Sequence, residues 1–280
     1  MKTNRSTIRA VTTLCVAALV QQASAAVVLN TAADFAILGG TAVTFTAPMN
    51  TVSGDVGVSP GTSITGAPAN LTLLGTIHNN DAVAAQAQSD ATAAYGAAAG
   101  AATTTTFSGT DNQLGGQTLV AGVYKFGHGD TANLIGTLTL DAQGVAGAVF
   151  IFQATSDFVT ASGSNVNLIN GADACNIIWQ VTSSATLGSG SNFDGTILAL
   201  TSITLDAGVT VDGRLLAQNG LVSLINDTIV NHGCEVGAGG VHHPPPVPDS
   251  GSLVLLLGIG LASLMVVGTI SRQSQLQARS

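Results

Sequence analysis

Basic side chains are what this sequence has least of. Seven Lys and Arg stand in 280 residues against fifteen Asp and Glu, and charged residues make up only 8%. Most of the cations lie near the ends, as Lys2, Arg5, Arg9, Arg272 and Arg279; between Ala26 and Gly251 only Lys125 and Arg214 remain. A nucleic-acid partner needs many cations against its phosphates, so that class is excluded. Phosphorylated and acidic substrates are disfavoured on the same ground.

Catalytic signatures are as scarce. No H-E-x-x-H occurs, and no strand-to-helix nucleophile elbow is read in the chain. Asp194 and Asp212 hold equivalent places in the repeat described below and form a conceivable carboxylate pair. Each precedes Gly, however, and Asp-Gly is a turn pair whose carboxylate bonds nearby backbone. A β-helix polysaccharide lyase wants a basic residue for proton abstraction, and Lys125 and Arg214 are far apart in sequence. His242 and His243 sit in a Pro-rich run with no third ligand nearby, and His78, His128 and His232 are isolated. No cofactor and no metal are expected.

Of three cysteines, Cys15 falls in the leader described next, which leaves Cys175 and Cys234. An even pair in an exported chain is expected to form a disulfide, about 4 kcal/mol in the disputed chain-entropy view; two buried thiols are the alternative.

Long apolar runs occur only at the two ends. Residues 1–25 have a basic start, the run Val11–Val20 and the small-residue site Ala23-Ser24-Ala25, the pattern of a secretory signal cleaved before Ala26. At the other end, Val247-Pro248-Asp249-Ser250-Gly251 precedes an uncharged stretch, residues 252–270, close to the roughly 20 residues that span a bilayer. The arginines beyond it favour a cytoplasmic C-terminus. VPDSG, an apolar helix and terminal arginines resemble the C-terminal sorting signals of bacterial exosortase substrates, which implies sorting machinery as a partner and a secreted or cell-surface product. A plain membrane anchor is the alternative. Residues 236–246, with Pro244-Pro245-Pro246, read as a linker, which leaves 26–235 as the domain.

With so little charge, an exported domain must be covered by Thr, Ser, Asn and Gly. It also repeats. Gly195-Thr196-Ile197-Leu198-Ala199 returns as Gly213-Arg214-Leu215-Leu216-Ala217, each after an Asp. Asn176-Ile177-Ile178-Trp179-Gln180, Ala148-Val149-Phe150-Ile151-Phe152 and Gly122-Val123-Tyr124-Lys125-Phe126 read as earlier copies. Thr186-Leu187-Gly188 and Thr204-Leu205-Asp206 are separated by the same interval, as are Phe193-Asp194 and Val211-Asp212. Three short strands per turn of chain describe a β-solenoid of roughly triangular section with coils about 4.7–4.9 Å apart. Residues 30–74 read as short strands out of register with this repeat, a coil or cap. Residues 81–99 are Ala-rich and form a helix after Asn79 and Asn80, ending at Gly100, with Val83, Ala87, Ala91, Ala94, Tyr95 and Ala98 as its packing stripe.

Two ladders recur along the coils. One is Thr160, Thr186, Thr204 and Ser223. The other comes from four turns, Ser162-Gly163-Ser164-Asn165, Ser189-Gly190-Ser191-Asn192, Ala207-Gly208-Val209-Thr210 and Ile225-Asn226-Asp227-Thr228, whose last members are Asn165, Asn192, Thr210 and Thr228. An ice surface is a two-dimensional lattice, and its receptor should be regular and rigid. Thr restricts χ1 and offers both a methyl and a hydroxyl. The same ladders also suit plain cross-strand stabilisation, and residues alone divide these readings evenly.

Several longer segments carry a resemblance. Gly54-Asp55-Val56-Gly57-Val58-Ser59-Pro60-Gly61, residues 77–88 (IHNNDAVAAQAQ), Leu119-Val120-Ala121-Gly122-Val123-Tyr124 and Cys175-Asn176-Ile177-Ile178-Trp179-Gln180-Val181 are similar to the microbial ice-binding protein family. The resemblance covers about Val27 to Ile229. It implies a mostly β fold, an irregular right-handed β-solenoid with one long α-helix packed alongside, in which the N-terminal part interrupts the coil order. It also implies adsorption to ice without catalysis; the domain is expected to be a monomer. The family's ice face often carries Thr, Ala or Gly, any residue, then Thr or Asn. That motif falls on the four turns above, so Ser162, Ser164, Ser189 and Ser191 join the candidate ice contacts. Ser162, Ser189, Ala207 and Ile225 stand where Thr is expected, which points to modest activity. A surface adhesin, supported by the sorting tail, and a polysaccharide-active enzyme are the competing readings.

Overall fold

The computed structural model describes residues 27–233, apart from 48, 108–111, 128 and 130. The expected secretory leader, linker and sorting tail lie outside the described residues, as do Cys234, His128 and the expected boundaries at 25/26 and 235/236. Among the described residues, no helix is long and apolar enough to cross a membrane.

The chain opens with a 3-10 turn, Asn30–Asp34, and then winds through β1 (Phe35–Gly39), β2 (Ala42–Thr46), β3 (Asn50–Ser53), β4 (Asp55–Val58), β5 (Ser63–Thr65), β6 (Leu71–Leu74) and β7 (Ile77–Asn79). Helix α1 (Ala82–Ala99) follows. After β8 (Thr105–Thr106) and β9 (Thr118–Val120) the main coils begin: β10 (Gly122–Lys125), β11 (Ala132–Leu134), β12 (Thr137–Asp141), β13 (Phe150–Ala154), β14 (Phe158–Thr160) and β15 (Asn165–Ile169). The last strands are β16 (Ile177–Val181), β17 (Ala185–Leu187), β18 (Asn192–Ala199), β19 (Ile203–Leu205), β20 (Thr210–Ala217), β21 (Leu221–Ile225) and β22 (Thr228–Val230). All named pairings are parallel, so each coil stacks on the next.

Three faces result. The first carries β1, β4, β7, β8, β10, β13, β16 and the C-terminal halves of β18 and β20. The second is the seven-stranded sheet β11-β14-β17-β19-β21-β2-β5. The third carries β9, β12, β15, the N-terminal halves of β18 and β20, β22, β3 and β6. Strands β18 and β20 bend from third to first face at Gly195 and Gly213, where φ is +113° and +145°. A Cβ on Gly213 would come within 2.0 Å of the Gly195 carbonyl oxygen, so glycine is required there.

The N-terminal strands are not a separate cap. They form two coils that stack on the last coil: Ile37 pairs with Leu215, Val43 with Val222 and Val52 with Ile229. In the regular coils, the stacked neighbours Thr196 and Arg214 are 18 residues apart. The N-terminal repeat is longer, with Thr44 opposite Thr65 at a separation of 21 residues. That longer period makes these strands look out of register with the later coils. The earlier copies also shift: Trp179 pairs with Ile197 and Phe150 with Ile177, one position away from the sequence alignment.

Inside, the core is aromatic at one end and aliphatic at the other. Phe107, Tyr124, Phe152 and Trp179 stack along successive coils, the last two rings 4.0 Å apart, with Phe158 and Phe193 beside Trp179. Outside the first face, Leu38, Val123, Ile151, Ile178, Leu198 and Leu216 receive Ala87, Ala91, Ala94 and Ala98 of α1. Methyl-sized side chains let the helix lie close to the sheet. Asp81 caps the helix, accepting from the Ala84 N–H at 2.8 Å. Val83, expected in the packing stripe, is instead half exposed at 49%; Ala84 takes its place. Gln153 donates to the Ala98 and Ala101 carbonyls at 2.8 and 2.9 Å, tying the helix end to β13.

Candidate functional site

With the first face covered by α1, the second and third faces present the repeated polar residues. On the third face, Thr137, Asn165, Asn192, Thr210, Thr228, Thr51 and Thr72 pair one to the next in register. These seven rungs are all Thr or Asn. At about 4.7–4.9 Å per rung they extend roughly 29 Å. On the second face the outward row is Asn133, Val159, Thr186, Thr204, Ser223, Thr44 and Thr65. Thr65 Oγ1 donates to Thr44 Oγ1 at 3.2 Å. Only Val159 interrupts that row's hydroxyl and amide groups.

The two rows meet at the four turns. The second residue of each has a left-handed backbone: Gly163 (φ +68°), Gly190 (+67°), Gly208 (+81°) and Asn226 (+59°). That conformation favours Gly or Asn. The third residue then points inward, and Ser164, Ser191, Val209 and Asp227 are all buried. Ser162 and Ser189 remain exposed at the corner.

Three candidate contacts are therefore internal struts. Ser164 donates to the Leu134 carbonyl at 2.8 Å, Ser191 to the Ala161 carbonyl at 3.1 Å, and both side chains are 1% exposed. Thr160 is 2% exposed, lies 3.3 Å from the Ser191 hydroxyl and accepts from the Gly188 N–H at 2.9 Å. Its strand partner is Leu187; Val159 is the residue opposite Thr186. A one-residue slip reverses the face of a strand residue, which is why Thr160 leaves the surface row. Asn165, Asn192, Thr210 and Thr228 stand on one ladder, and Thr186 and Thr204 on the other. Thr44, Thr65, Thr51, Thr72, Thr137 and Asn133 continue the ladders and were missed, although Val43-Thr44 and Ile64-Thr65 echo one another at the longer N-terminal period.

Asp227 fills the corner between last and first coils. Its carboxylate accepts from the Val209 and Ile225 N–H groups at 2.8 and 2.7 Å, and its own N–H donates to Asn50 Oδ1 at 3.0 Å. Burial pushes its carboxyl up to about 6 despite those donors. Asp194 is pushed up to about 7, first by burial and then by the negative charge of Asp212. Asp194 and Asp212 are register neighbours, and His232 Nδ1 lies 2.7 Å from Asp212 Oδ1.

A pocket bringing Asp212 and Arg214 together would favour a polysaccharide-active enzyme. The shallow cleft beside Asp212 is lined by residues 171–175, Leu168 and His232, without Arg214. Arg214 is fully buried, donates its Nε–H to the Ala33 carbonyl at 2.9 Å, and has its pKa lowered to about 10 by burial. Among the described residues, no three or more His, Cys, Asp or Glu form a group that could hold a metal ion. Gly57-Val58-Ser59-Pro60-Gly61 has the G-x-S-x-G spacing, which the sequence reading passed over. Ser59 is buried, and the chain runs on to strand β5 instead of a helix, so no nucleophile elbow forms. His78 lies 2.8 Å from Asp81 and 3.6 Å from Asp55, at the start of α1. Cys175 is disulfide-bonded.

Residues 37–230 match the family described as ice-binding-like. The chain belongs to that family. An ice-binding protein of Nostoc sp. (strain HG1) is 45% identical over 238 residues, covering 85% of this chain and 84% of that one. Another, from Flavobacterium frigoris (strain PS1), is 34% identical over 216 residues, 72% and 75% of the two chains. Among solved structures, an ice-binding protein from an Antarctic biological consortium shares 43% identity with TM-score 0.69, covering 73% of this chain and 90% of that one. The one from the Antarctic ascomycete Antarctomyces psychrotrophicus has 39% identity and TM-score 0.68, covering 72% and 96%. Membership of the ice-binding-like family and a mostly β fold with one packed helix agree with the sequence expectations.

Proposed function

We propose that this chain binds ice, adsorbing through the outward Thr, Ser and Asn rows that the helix leaves uncovered. The observation that carries the reading is the unbroken third-face ladder, Thr137 to Thr72, in a member of the ice-binding-like family. Each rung offers a short side chain held by a strand, and the rung spacing is near a repeat of the ice lattice. Methyl groups order a cage of water, and hydroxyl and amide groups anchor it. No mobile Lys or Glu lies on either row. Adsorbed molecules curve the ice front between them and stop growth or recrystallisation, with no bond made or broken.

The test is an assay of ice recrystallisation and thermal hysteresis on purified residues 26–246. Inhibition at micromolar protein is the expected result; a folded sample without effect overturns the reading.

The site of action follows from the ends. A cleaved leader (1–25) and a sorting tail (247–280, with a span over 252–270) support export and release, or display at the cell surface. The Cys175 disulfide is assigned to Cys234, which would tie the loop before β16 to the end of the domain. An adhesin that does not touch ice has only the tail in its favour. The domain is proposed to act as a monomer.

A further inference from the structure

We infer that the two ladders are two separate ice-binding sites, each matched to a different plane of the crystal, so that the molecule can adsorb in two orientations. This rests on the ice-binding reading above and goes beyond it.

The ladders belong to different sheets. The row Thr186, Thr204, Ser223, Thr44, Thr65 lies on the seven-stranded second face, and Asn192, Thr210, Thr228, Thr51, Thr72 on the third. Between them the backbone turns through a left-handed residue, and the next side chain enters the core. An inward residue between two outward rows marks a corner, so a flat crystal face that seats one row tilts away from the other. In the middle coils the exposed side chains at the corner are Ser162, Ser189 and Ala207, and toward the two ends Ile135 and Met49 project from it and separate the rows further.

The rows also differ in chemistry and width. On the second face a parallel row of Ser184, Ser202, Leu221, Ala42 and Ser63 flanks the Thr row, and Asp157 and Asp206 border it. The third face is narrow in its middle, because the 3-10 turn Ala174–Asn176 and the Asp194, Asp212 and His232 group occupy the strip beside Asn192 and Thr210. It widens at one end, where Thr118, Thr139 and Asn167 form a second row. A broad Thr/Ser site and a single file of Thr/Asn repeat alike along the solenoid axis and differ across it. Two lattices that share one repeat and differ in the other are what two planes of one crystal present.

The experiment grows a single ice hemisphere in the full-length protein carrying a fluorescent label and reads which planes light up. Thr186→Lys/Thr204→Lys removes the second-face site, and Thr51→Lys/Thr210→Lys the third. Thr204→Val and Thr210→Val keep the β-branched shape and serve where a lysine pair unfolds the domain, as judged by Tm. Two sets of illuminated planes in the unaltered protein, each erased by one pair and spared by the other, is the expected result. A single set, dimmed by both pairs or by one alone, overturns the two-site inference and leaves ice binding intact. No plane lit by the unaltered folded protein overturns both readings.

Discussion

Thr210 and Thr160 separate what a threonine does on this solenoid from what it does inside it. Thr210 stands exposed between Asn192 and Thr228, and Lys there projects a mobile hydrated charge from the ladder. Thr210→Lys is expected to weaken ice recrystallisation inhibition about tenfold, equivalent to about 1.4 kcal/mol of adsorption energy, with Tm unchanged. Thr160 touches Ser191 and Gly188 instead. Thr160→Val should cost about 1 kcal/mol, roughly 2–4 °C in Tm, and leave inhibition as it was. The sequence did not separate these two residues, because period-two strands of three residues place a surface Thr and a buried Thr one step apart. Ser164 and Ser191 were misplaced for a related reason. Their direction is set by the left-handed residue before them, a backbone property that a repeat alignment does not carry.

Titration is a second residue-scale property. Asp194 and Asp227 have folded pKa values near 7 and 6, above the ordinary 3.8. A carboxyl with a raised folded pKa binds its proton more tightly in the folded state. Its stabilising contribution is complete below about pH 4 and is lost as pH rises through 6 to 7. Tm is therefore expected to fall between pH 5 and pH 8, and Asp194→Asn should flatten that dependence and raise Tm at pH 8. Thermal unfolding of both proteins across that range checks it; equal slopes would contradict the assignment.

At the scale of elements, the helix and its seat are the most constrained part of the domain. Ala91 is 1% exposed against the first face, so Ala91→Leu overfills the contact and should cost about 1–3 kcal/mol, read by denaturant unfolding. Helix α1 was legible because an Ala-rich run and Gly100 give its body and end locally, although its cap is Asp81 and not the expected Asn79 or Asn80. The main coils were legible because Asp194-Gly195 recurs as Asp212-Gly213, and the two glycines are where β18 and β20 must bend. The first two coils were not. Their period differs from that of the coils they join, and they stack on β20–β22 at the opposite end of the domain sequence, as in Ile37 against Leu215. Position in sequence says nothing of that closure.

At the scale of the molecule, the absence of charge and the ladders are one fact seen twice. A chain with two basic residues between Ala26 and Gly251 must solvate itself through Thr, Ser, Asn and Gly, and a solenoid arranges them in files. The most direct measurement grows ice slowly from a solution of the protein and determines the fraction carried into the solid. Enrichment in ice is expected for the unaltered chain, and exclusion for a folded variant carrying Thr186→Lys, Thr204→Lys, Thr51→Lys and Thr210→Lys together. Exclusion of the unaltered chain, or equal entry of the variant, would contradict adsorption to ice through those files.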